Sequence, residues 1–469
     1  MANIIKDRVS VSEQAVNQRV KNFDEVPLRY TEEEAVREAK RCLQCRNSPC
    51  TENCPVHVDV RGFVKLLAEG ELKKAYLKVK EDSPIPGIVG RVCPQEHQCE
   101  GACLLGKMGD AVNIGKLEAF LADWAMENGV NEEFEIKEKE QKVAVIGTGP
   151  SGISCAVDLR KIGYKVTMFE ALHKAGGVLQ YGIPNFRLPK HIVDKELSYL
   201  ETIGIEIRLD TVVGQSIPFD ELRNTYDAVF IGTGAGAPIF LNIEGEKLNR
   251  LCSANEFLLR TNLMKAYDQK YDTPVILGKR VGVIGAGNVA MDAARCARRF
   301  GAEVHVLYRR TKEHSPARLE ELHHALEEGI NFKELVSPTR IVGEDGWVKG
   351  IELVKMKLGE PDKSGRPRPE KIEGTEFIMD LDTIIMALGT RPNRLFLSKT
   401  PELKTHKWGG IIVDDGLMTN IEGTTAGGDA VSGGATVIEA QGEGRQAAKT
   451  IHNYLSSKNQ SPEEMQDEK

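Results

Sequence analysis

The 469-residue sequence predicts an α/β protein in which two similar parallel-sheet units follow a small helical domain. One segment repeats: Lys142-Val-Ala-Val-Ile-Gly-Thr-Gly-Pro-Ser-Gly recurs as Arg280-Val-Gly-Val-Ile-Gly-Ala-Gly-Asn-Val-Ala, and each copy is typical of a buried strand, a glycine turn and a helix. Apolar strands and helices alternate after residue 141, as in parallel sheets with crossover helices. Seven of the ten cysteines lie in the first quarter of the chain, which indicates that the helical segment is built around metal.

The order of these patterns divides the chain into domains. We expect the helical domain over residues 1–140, the first sheet unit over 141–275 and the second over 276–388. Because the second unit interrupts the first, residues 389–455 are predicted to return and complete the first unit. The polar, acidic segment 456–469 is predicted to be disordered.

Composition excludes some classes of function. The net charge is -7 and the isoelectric point is about 5.9, with lysine and arginine dispersed along the chain, which argues against a nucleic-acid binder. No apolar run reaches the length of a membrane span, and the N-terminal MANIIKDRVS lacks the apolar stretch of a signal peptide. We therefore expect a cytoplasmic protein whose partners are nucleotides and another protein.

The first four cysteines form a metal-binding run. Cys42, Cys45, Cys50 and Cys54 read Cys-x2-Cys-x4-Cys-x3-Cys with Pro55 next, a close variant of the ferredoxin run in which the fourth cysteine ligates a different cluster. The other cysteines of this segment are Cys93, Cys99 and Cys103. Two iron-sulfur clusters are the leading interpretation.

Two cubane clusters need one more ligand than the seven cysteines supply, so an eighth, non-cysteine ligand is implied. Glu118 is the candidate, and its alternative is an ordinary exposed helix glutamate. The rival metal is zinc, with His57 and His97 nearby, but zinc sites usually contain two Cys-x2-Cys pairs and this segment has one. Disulfides are less favoured still, because no secretory signal precedes the cysteines.

The first glycine turn predicts a dinucleotide-binding fold of the Rossmann type. Gly147, Gly149 and Gly152 follow a strand in the G-x-G-x-x-G spacing, which allows a tight turn, close approach of a pyrophosphate and close helix packing. The pyrophosphate is expected at the N-terminus of the following helix, which begins at Pro150 and Ser151. The remaining candidates for this unit include Glu170, which closes the next strand at the spacing of a ribose-binding carboxylate, then Gly177 and Arg187.

The second glycine turn differs from the first in two positions. Gly285 and Gly287 are followed by alanine at the third place, and Asn288 and Val289 begin the helix. The next strand ends in a pair of arginines rather than an acid, and a guanidinium binds a phosphate in two-pronged geometry. The cations predicted to select NADP(H) are Arg309, Arg310 and, as a third, Arg318. The alternative is a solvated cluster of charges at a helix start.

The C-terminal part carries a further cofactor signal. The segment Thr425-Ala-Gly-Gly-Asp429 follows a predicted strand, which places Asp429 beside Gly428 to accept hydrogen bonds from the ribityl chain of a flavin. Thr436 then begins a helix whose N-terminus can face the flavin ring. The alternative for Asp429 is a simple turn or N-cap residue.

These motifs together resemble a known family. The run Cys42 to Pro55, Gly90-Arg-Val-Cys-Pro94, Cys99-Glu-Gly-Ala-Cys103, Gly182-Ile-Pro-Asn-Phe-Arg-Leu188 and Tyr308-Arg-Arg310 resemble the small subunit of NADPH-dependent glutamate synthase. The same module is similar to the large subunit of NADH-dependent reduced ferredoxin:NADP oxidoreductase, to a sulfide dehydrogenase subunit and to the N-terminal part of dihydropyrimidine dehydrogenase. The resemblance covers nearly the whole chain.

The resemblance implies FAD in the first unit, NADPH in the second and two 4Fe-4S clusters in the helical domain. It assigns one cluster to Cys42, Cys45, Cys50 and Cys103. It assigns the other to Cys54, Cys93, Cys99 and Glu118. The predicted fold is therefore two nested Rossmann-like domains, for FAD and NADPH, preceded by an α-helical iron-sulfur domain.

Three functions remain open at this point. The first is the large subunit of an electron-bifurcating ferredoxin:NADP oxidoreductase, the second is the small subunit of NADPH-dependent glutamate synthase, and the third is a non-redox subunit that binds zinc. In the first two, hydride transfer between NADPH and FAD is converted to one-electron transfer for a partner redox subunit, and no catalytic acid or base is assigned. A disulfide reductase is disfavoured, because Cys155, Cys252 and Cys296 stand alone.

Overall fold

The computed structural model describes residues 5–362 and 365–459, and its N-terminal domain is helical. Thr31 caps the second helix through a capping box with Glu34. The α-helices are α1 (Val16–Arg19), α2 (Glu32–Ala39), α3 (Pro49–Glu52), α4 (Val60–Ala68), α5 (Leu72–Lys80), α6 (Pro86–Val92), α7 (Ile114–Glu127), α8 (Pro150–Ile162), α9 (Val178–Tyr181), α10 (Lys190–Thr202), α11 (Phe219–Thr225), α12 (Ala254–Asn262), α13 (Asn288–Arg299), α14 (Leu319–Glu327), α15 (Arg394–Leu397), α16 (Asp429–Ser432) and α17 (Val437–Asn459).

The described strands that follow the helical domain form two parallel sheets and two antiparallel sheets, the smaller of which pairs only two strands. They are β1 (Lys142–Ile146), β2 (Lys165–Phe169), β3 (Glu206–Arg208), β4 (Ala228–Ile231), β5 (Ala237–Pro238), β6 (Leu251–Ser253), β7 (Arg280–Ile284), β8 (Glu303–Leu307), β9 (Asn331–Lys333), β10 (Val336–Glu344), β11 (Trp347–Pro361), β12 (Pro367–Lys371), β13 (Phe377–Asp380), β14 (Thr383–Met386), β15 (Thr390–Arg391) and β16 (Thr424–Ala426).

The first parallel sheet has the order β16-β4-β1-β2-β3. Its strands are short, and β1, β2 and β4 are mainly apolar. β1 and β2 are buried except at their first residues and β4 throughout, as expected for a sheet covered on both faces. Strand β16 pairs with β4, so the chain returns from the second unit to complete the first sheet. This return was predicted from the order of the motifs.

The second parallel sheet has the order β6-β14-β7-β8-β9. The boundary predicted at residue 275 places β6 in the first unit, but the strand pairs with β14, which corrects the boundary. Helix α12 follows β6 directly and packs in the same apolar cluster as α13. The boundary was misplaced because β6, with three residues, is too short to show a periodicity, and because its partner β14 lies far along the chain.

The larger antiparallel sheet, formed by β10, β11, β12 and β13, belongs to the second unit. Strand β11 pairs with β10, β12 and β13, and the turn between β11 and β12 brings Asp362 and Pro367 beside the end of β8. Helix α17 continues to Asn459, so the prediction of disorder from residue 456 is wrong for its first four residues. Residues 460–469 of that predicted tail lie outside the described residues.

The helical domain is not a separate body on a linker. One apolar cluster contains Phe63 and Leu117 of the helical domain together with Val145 of the first sheet and Ile451 of α17. A second cluster joins Val26, which precedes the cysteines, to the core of the second unit. None of the described helices has the length and apolar character needed to cross a membrane.

Candidate functional site

The structure gathers the first set of four predicted cluster ligands around one small cavity. Cys42, Cys45, Cys50 and Cys103 all line it, together with apolar side chains of α4 and the loop before α7. Burial, followed by the proximity of Cys42 and Cys103, raises the pKa of the Cys50 thiol to about 11. Four cysteines around one small, partly buried cavity fit a site in which a shared cation holds them as thiolates.

The second set of predicted ligands contains a buried carboxyl group. Glu118 on α7 is buried, and its Oε1 atom has no hydrogen-bond partner within residues 5–362 and 365–459. Burial raises the pKa of Glu118 to about 8. Burial also raises the pKa of the Cys54, Cys93 and Cys99 thiols, and the charge of Glu118 raises each of them further. A buried oxygen without a partner among the described residues, whose charge acts on three cysteines, fits the donor set of a metal cluster.

The first glycine turn has the shape that a dinucleotide needs. Gly147 has φ +100°, and a Cβ there would lie 2.3 Å from the carbonyl oxygen of Gly232, so only glycine fits. At Gly149 a Cβ would meet nothing within 4 Å, which leaves space at the N-terminus of α8. The first residues of α8, Pro150 and Ser151, line the same space. Proline has no N–H, so the free amide that this start of the helix offers is that of Ser151.

Glu170 lies where the ribose-binding carboxylate was predicted. It follows β2 and accepts hydrogen bonds from the backbone N–H groups of Thr148, at 3.2 Å, and Leu172, at 3.0 Å. These bonds fix the carboxylate against the glycine turn at the wall of the cavity. Gly177 packs against this turn as well, since a Cβ on it would lie 3.2 Å from Cα of Gly149.

Asp429 and α17 form the C-terminal wall of the cavity. The Oδ1 atom of Asp429 accepts a hydrogen bond of 3.1 Å from the backbone N–H of Ala435, and burial raises the pKa of Asp429 to about 6. Gly428 donates its N–H to Glu443 on α17. Thr436 caps α17 by exchanging hydrogen bonds with Glu439, so the helix begins at the cavity. A carboxylate and the N-terminus of a helix on one cavity wall are the kinds of group predicted to hold a flavin ribityl chain and ring.

The second glycine turn repeats the geometry of the first. Gly285 has φ +119°, and a Cβ there would lie 2.2 Å from the carbonyl oxygen of Ala387. A Cβ at Gly287 would meet only a Pro316 carbon, at 3.8 Å. Asn288 and Val289, the first residues of α13, line the cavity, and Val289 is 41% exposed.

The predicted phosphate-binding arginines differ in their surroundings. Arg309 is exposed and lines the cavity. Arg310 also lines it but is buried, and its guanidinium donates to Asp362 at 2.7 Å and to the carbonyl of Pro367 at 2.8 Å. Arg366, which sequence reasoning missed, lines the cavity beside them. No spacing rule could have found it, because the hairpin that carries it has no fixed offset from the glycine turn.

The guanidinium groups of two other predicted cofactor-binding arginines donate hydrogen bonds to other residues of the chain. Arg187 lines the cavity and donates to both carboxylate oxygens of Asp292, at 2.9 and 2.7 Å, which joins the two nucleotide units. Arg318 is not among the residues that line the cavity. Its guanidinium instead donates to the carbonyl of Arg91 at 2.8 Å, in the helical domain. The nucleotide-binding roles of both remain predictions.

One cavity connects the two nucleotide-binding units. It has a volume of about 1850 Å³ and includes both glycine turns, Asp429 and the N-terminus of α17. Val92 and Pro94, the neighbours of Cys93, lie on its wall. The second cysteine set is therefore next to the nucleotide cavity. The first set lines the separate small cavity described above.

Comparison with known proteins agrees with this arrangement. Residues 19–130 match the family described as dihydropyrimidine dehydrogenase domain II, 4Fe-4S cluster, and residues 132–444 match pyridine nucleotide-disulphide oxidoreductase. The glutamate synthase [NADPH] small chain of Escherichia coli (strain K12) is 36% identical over 458 residues, which are 96% of this chain and 97% of that protein. The chain belongs to the glutamate synthase small-chain family.

Two further comparisons set limits on this membership. The NADP(+)-dependent formate dehydrogenase subunit beta of Moorella thermoacetica is 38% identical over 441 residues, which are 88% of this chain but 61% of that protein. The chain thus spans about three fifths of the length of that relative. The structure of Mycobacterium tuberculosis FprA in complex with NADPH matches with a TM-score of 0.59 and 21% identity, over 68% of this chain and 85% of FprA, which shows a shared fold.

Family membership confirms the predicted cofactor classes. This member of the glutamate synthase small-chain family is an NADP(H)-dependent oxidoreductase with FAD and 4Fe-4S chemistry. The 4Fe-4S match favours iron-sulfur clusters over the zinc alternative. Two groups of four potential ligands are compatible with two clusters, and the role of each ligand remains a prediction.

Proposed function

We propose that the chain converts hydride transfer from NADPH into one-electron transfer and passes the electrons through two 4Fe-4S clusters to a partner subunit. The observation that carries this proposal is the position of Val92 and Pro94. Both flank Cys93, and both line the cavity that contains the two glycine turns. A cluster held by Cys93 would therefore lie beside the flavin site.

The chemistry of this conversion belongs to the cofactors. When bound, FAD exchanges two electrons with a nicotinamide as hydride and can exchange them singly with iron-sulfur clusters, each of which takes one electron. The residues of the chain hold these groups in place. The open N-termini of α8 and α13 would bind the two pyrophosphates, and Glu170 and Asp429 would accept hydrogen bonds from ribose and ribityl hydroxyls.

The arrangement of the two cysteine sets supports a direction of transfer. The second set adjoins the nucleotide cavity, whereas Leu43 and Leu104, which neighbour cysteines of the first set, are 37% and 39% exposed. We infer that electrons pass from the flavin to the second cluster and then to the first. The partner would then take them near the surface around Leu43 and Leu104.

For the electron acceptor we propose first a partner of the ferredoxin:NADP oxidoreductase type, so that the chain is the large subunit of a bifurcating enzyme. The sequence Tyr308-Arg-Arg-Thr-Lys-Glu-His-Ser-Pro-Ala317 favours this assignment. A specific observation favours a second candidate, the small subunit of glutamate synthase: the match to the Escherichia coli small chain covers nearly all of both proteins. The cytoplasmic location remains a prediction.

Anaerobic copurification distinguishes these functions. The chain is isolated from its own cells with whatever subunit it binds, and the partner is identified by mass spectrometry. Reduction of ferredoxin by NADPH that depends on NAD+ as the second electron acceptor would support the first function. Glutamate formation from glutamine, 2-oxoglutarate and NADPH would support the second. A colourless preparation without flavin or iron would contradict both.

A further inference from the structure

A short segment of the second unit lies between the nucleotide turn and the loop that carries Cys93. On the nucleotide side, the hydroxyl of Ser315 donates to the carbonyl of Ala286 at 2.6 Å. The backbone N–H of Arg318 donates to the side-chain oxygen of Asn288 at 3.0 Å. Both acceptors belong to the second glycine turn and the first residue of α13, so this segment is fixed to the turn.

The other side of the segment holds the Cys93 loop. The guanidinium of Arg318 donates to the carbonyl of Arg91 at 2.8 Å and to the side-chain oxygen of Gln95 at 3.0 Å. These acceptors lie two residues before and two residues after Cys93. The backbone N–H of Leu319 also donates to Glu96, at 3.0 Å. The Arg318 side chain therefore donates hydrogen bonds to the loop both before and after Cys93, a predicted cluster ligand.

The charge of Arg318 is the least exposed charge at this contact. Its side chain is 6% exposed, whereas the carboxylates that face it are 24% exposed at Glu320, 2.9 Å away, and 23% exposed at Glu96, 3.7 Å away. Lys116, on the same helix as Glu118, shares Glu320 at 2.8 Å. Solvent screens the two carboxylates more than it screens the guanidinium, so they offset the positive charge of Arg318 only in part on the side of Cys93.

We propose that Arg318 is a positioning residue that fixes the Cys93 loop to the nucleotide-binding unit and raises the midpoint potential of the cluster held by Cys54, Cys93, Cys99 and Glu118. Reduction adds one negative charge to a cluster, and a fixed cation beside it stabilises the reduced form. This role rests on the proposed function, because it requires the second cluster. It differs from the phosphate-binding role that the sequence predicts for the same residue.

The test is a redox titration of the anaerobically purified full chain, followed by electron paramagnetic resonance. For Arg318→Gln we expect the ratio of reduced to oxidised second cluster at a fixed potential to fall roughly tenfold, which corresponds to about 59 mV for a one-electron couple. The first cluster should keep its potential, and Arg318→Lys, which keeps the charge, should shift the second cluster less. Arg298→Gln is the matched control, since Arg298 lies on α13 and donates to the carbonyl of Glu328, away from the Cys93 loop.

A second variant separates charge from folding. Glu320→Gln removes a negative charge at the same contact, so we expect the potential of the second cluster to rise. A merely structural role would not produce shifts of opposite sign in the two variants. This variant also keeps the proposal testable when Arg318→Gln fails to fold.

The outcomes distinguish the two proposals from each other. Unchanged potentials in both variants, with weaker binding of NADPH by Arg318→Gln, would overturn this role and restore the phosphate-binding one. If the wild-type protein holds only one cluster, bound by the first cysteine set, the proposed two-cluster function and this inference are both overturned. Two clusters with unshifted potentials would overturn the inference alone.

Discussion

At the scale of single residues, Glu118 makes the sharpest prediction. It is a buried carboxyl whose Oε1 atom has no hydrogen-bond partner among the described residues, and its charge raises the pKa of three cysteines. Glu118→Gln exchanges a charged ligand for a neutral one, so the second cluster should become easier to reduce while the first keeps its potential. Redox titration monitored by electron paramagnetic resonance measures both.

The control for Glu118 lies on the same helix. Glu127 is also on α7, but its side chain is 58% exposed, so Glu127→Gln should leave both clusters unchanged. Should Glu118→Gln behave like Glu127→Gln, Glu118 would be a buried helix residue without a ligand role.

The two arginines after β8 should contribute unequally to nucleotide selection. Arg309 is exposed in the cavity, whereas Arg310 already binds Asp362 and the carbonyl of Pro367. Arg309→Ala should therefore weaken NADPH binding by about 1.5 to 3 kcal/mol, the range for a hydrogen bond to a charged group, and barely affect NADH. Dissociation constants for both nucleotides measure this difference.

Arg310→Ala serves as the comparison for Arg309→Ala. It should destabilise the hairpin between β11 and β12, since it leaves the Asp362 carboxylate without this partner, and thermal unfolding should show the loss. Equal weakening of NADPH and NADH binding by Arg309→Ala would count against phosphate recognition.

At the scale of elements, the contact between α17 and the loop after Cys54 depends on a glycine. A Cβ at Gly442 would lie 2.9 Å from the carbonyl oxygen of Pro55. Alanine in a helix normally stabilises it by about 1 kcal/mol relative to glycine, but overpacking costs about 1 to 3 kcal/mol. We expect Gly442→Ala to lower the free energy of unfolding and to slow electron transfer from flavin to cluster.

Stopped-flow reduction by NADPH measures the effect of Gly442→Ala on that transfer. Ser457→Ala on the exposed part of α17 is the control and should change neither rate nor stability appreciably. A Gly442→Ala protein as stable and as fast as the wild type would show that the loop can move away without consequence.

Elements with a strong local pattern could be predicted from the sequence. The two glycine turns predicted β1, α8, β7 and α13, since each turn requires a positive φ at one glycine. Strand β6 was assigned to the wrong unit because three residues carry no period and its partner β14 is defined only in the folded sheet. Helix α17 runs past residue 456, although its last residues are polar.

At the scale of the whole molecule, the sequence could not predict how the three parts contact each other. The bonds from Arg318 to Arg91 and Gln95 each span more than two hundred residues, and no local pattern encodes such a contact. The same holds for the ion pair of Arg187 with Asp292 and for the position of Arg366. The sequence predicted which residues carry chemistry, whereas the fold decides which of them share a cavity.

The proposed function depends on this arrangement. Val92 and Pro94, the neighbours of Cys93, lie on the wall of the nucleotide cavity, and the proposal is that paired and single electrons are exchanged there within one chain. The most direct test is a count of unpaired spins per FAD after dithionite reduction of the anaerobically isolated protein. The account predicts about two, one for each reduced 4Fe-4S cluster. A protein that holds FAD but gives no spin would contradict it.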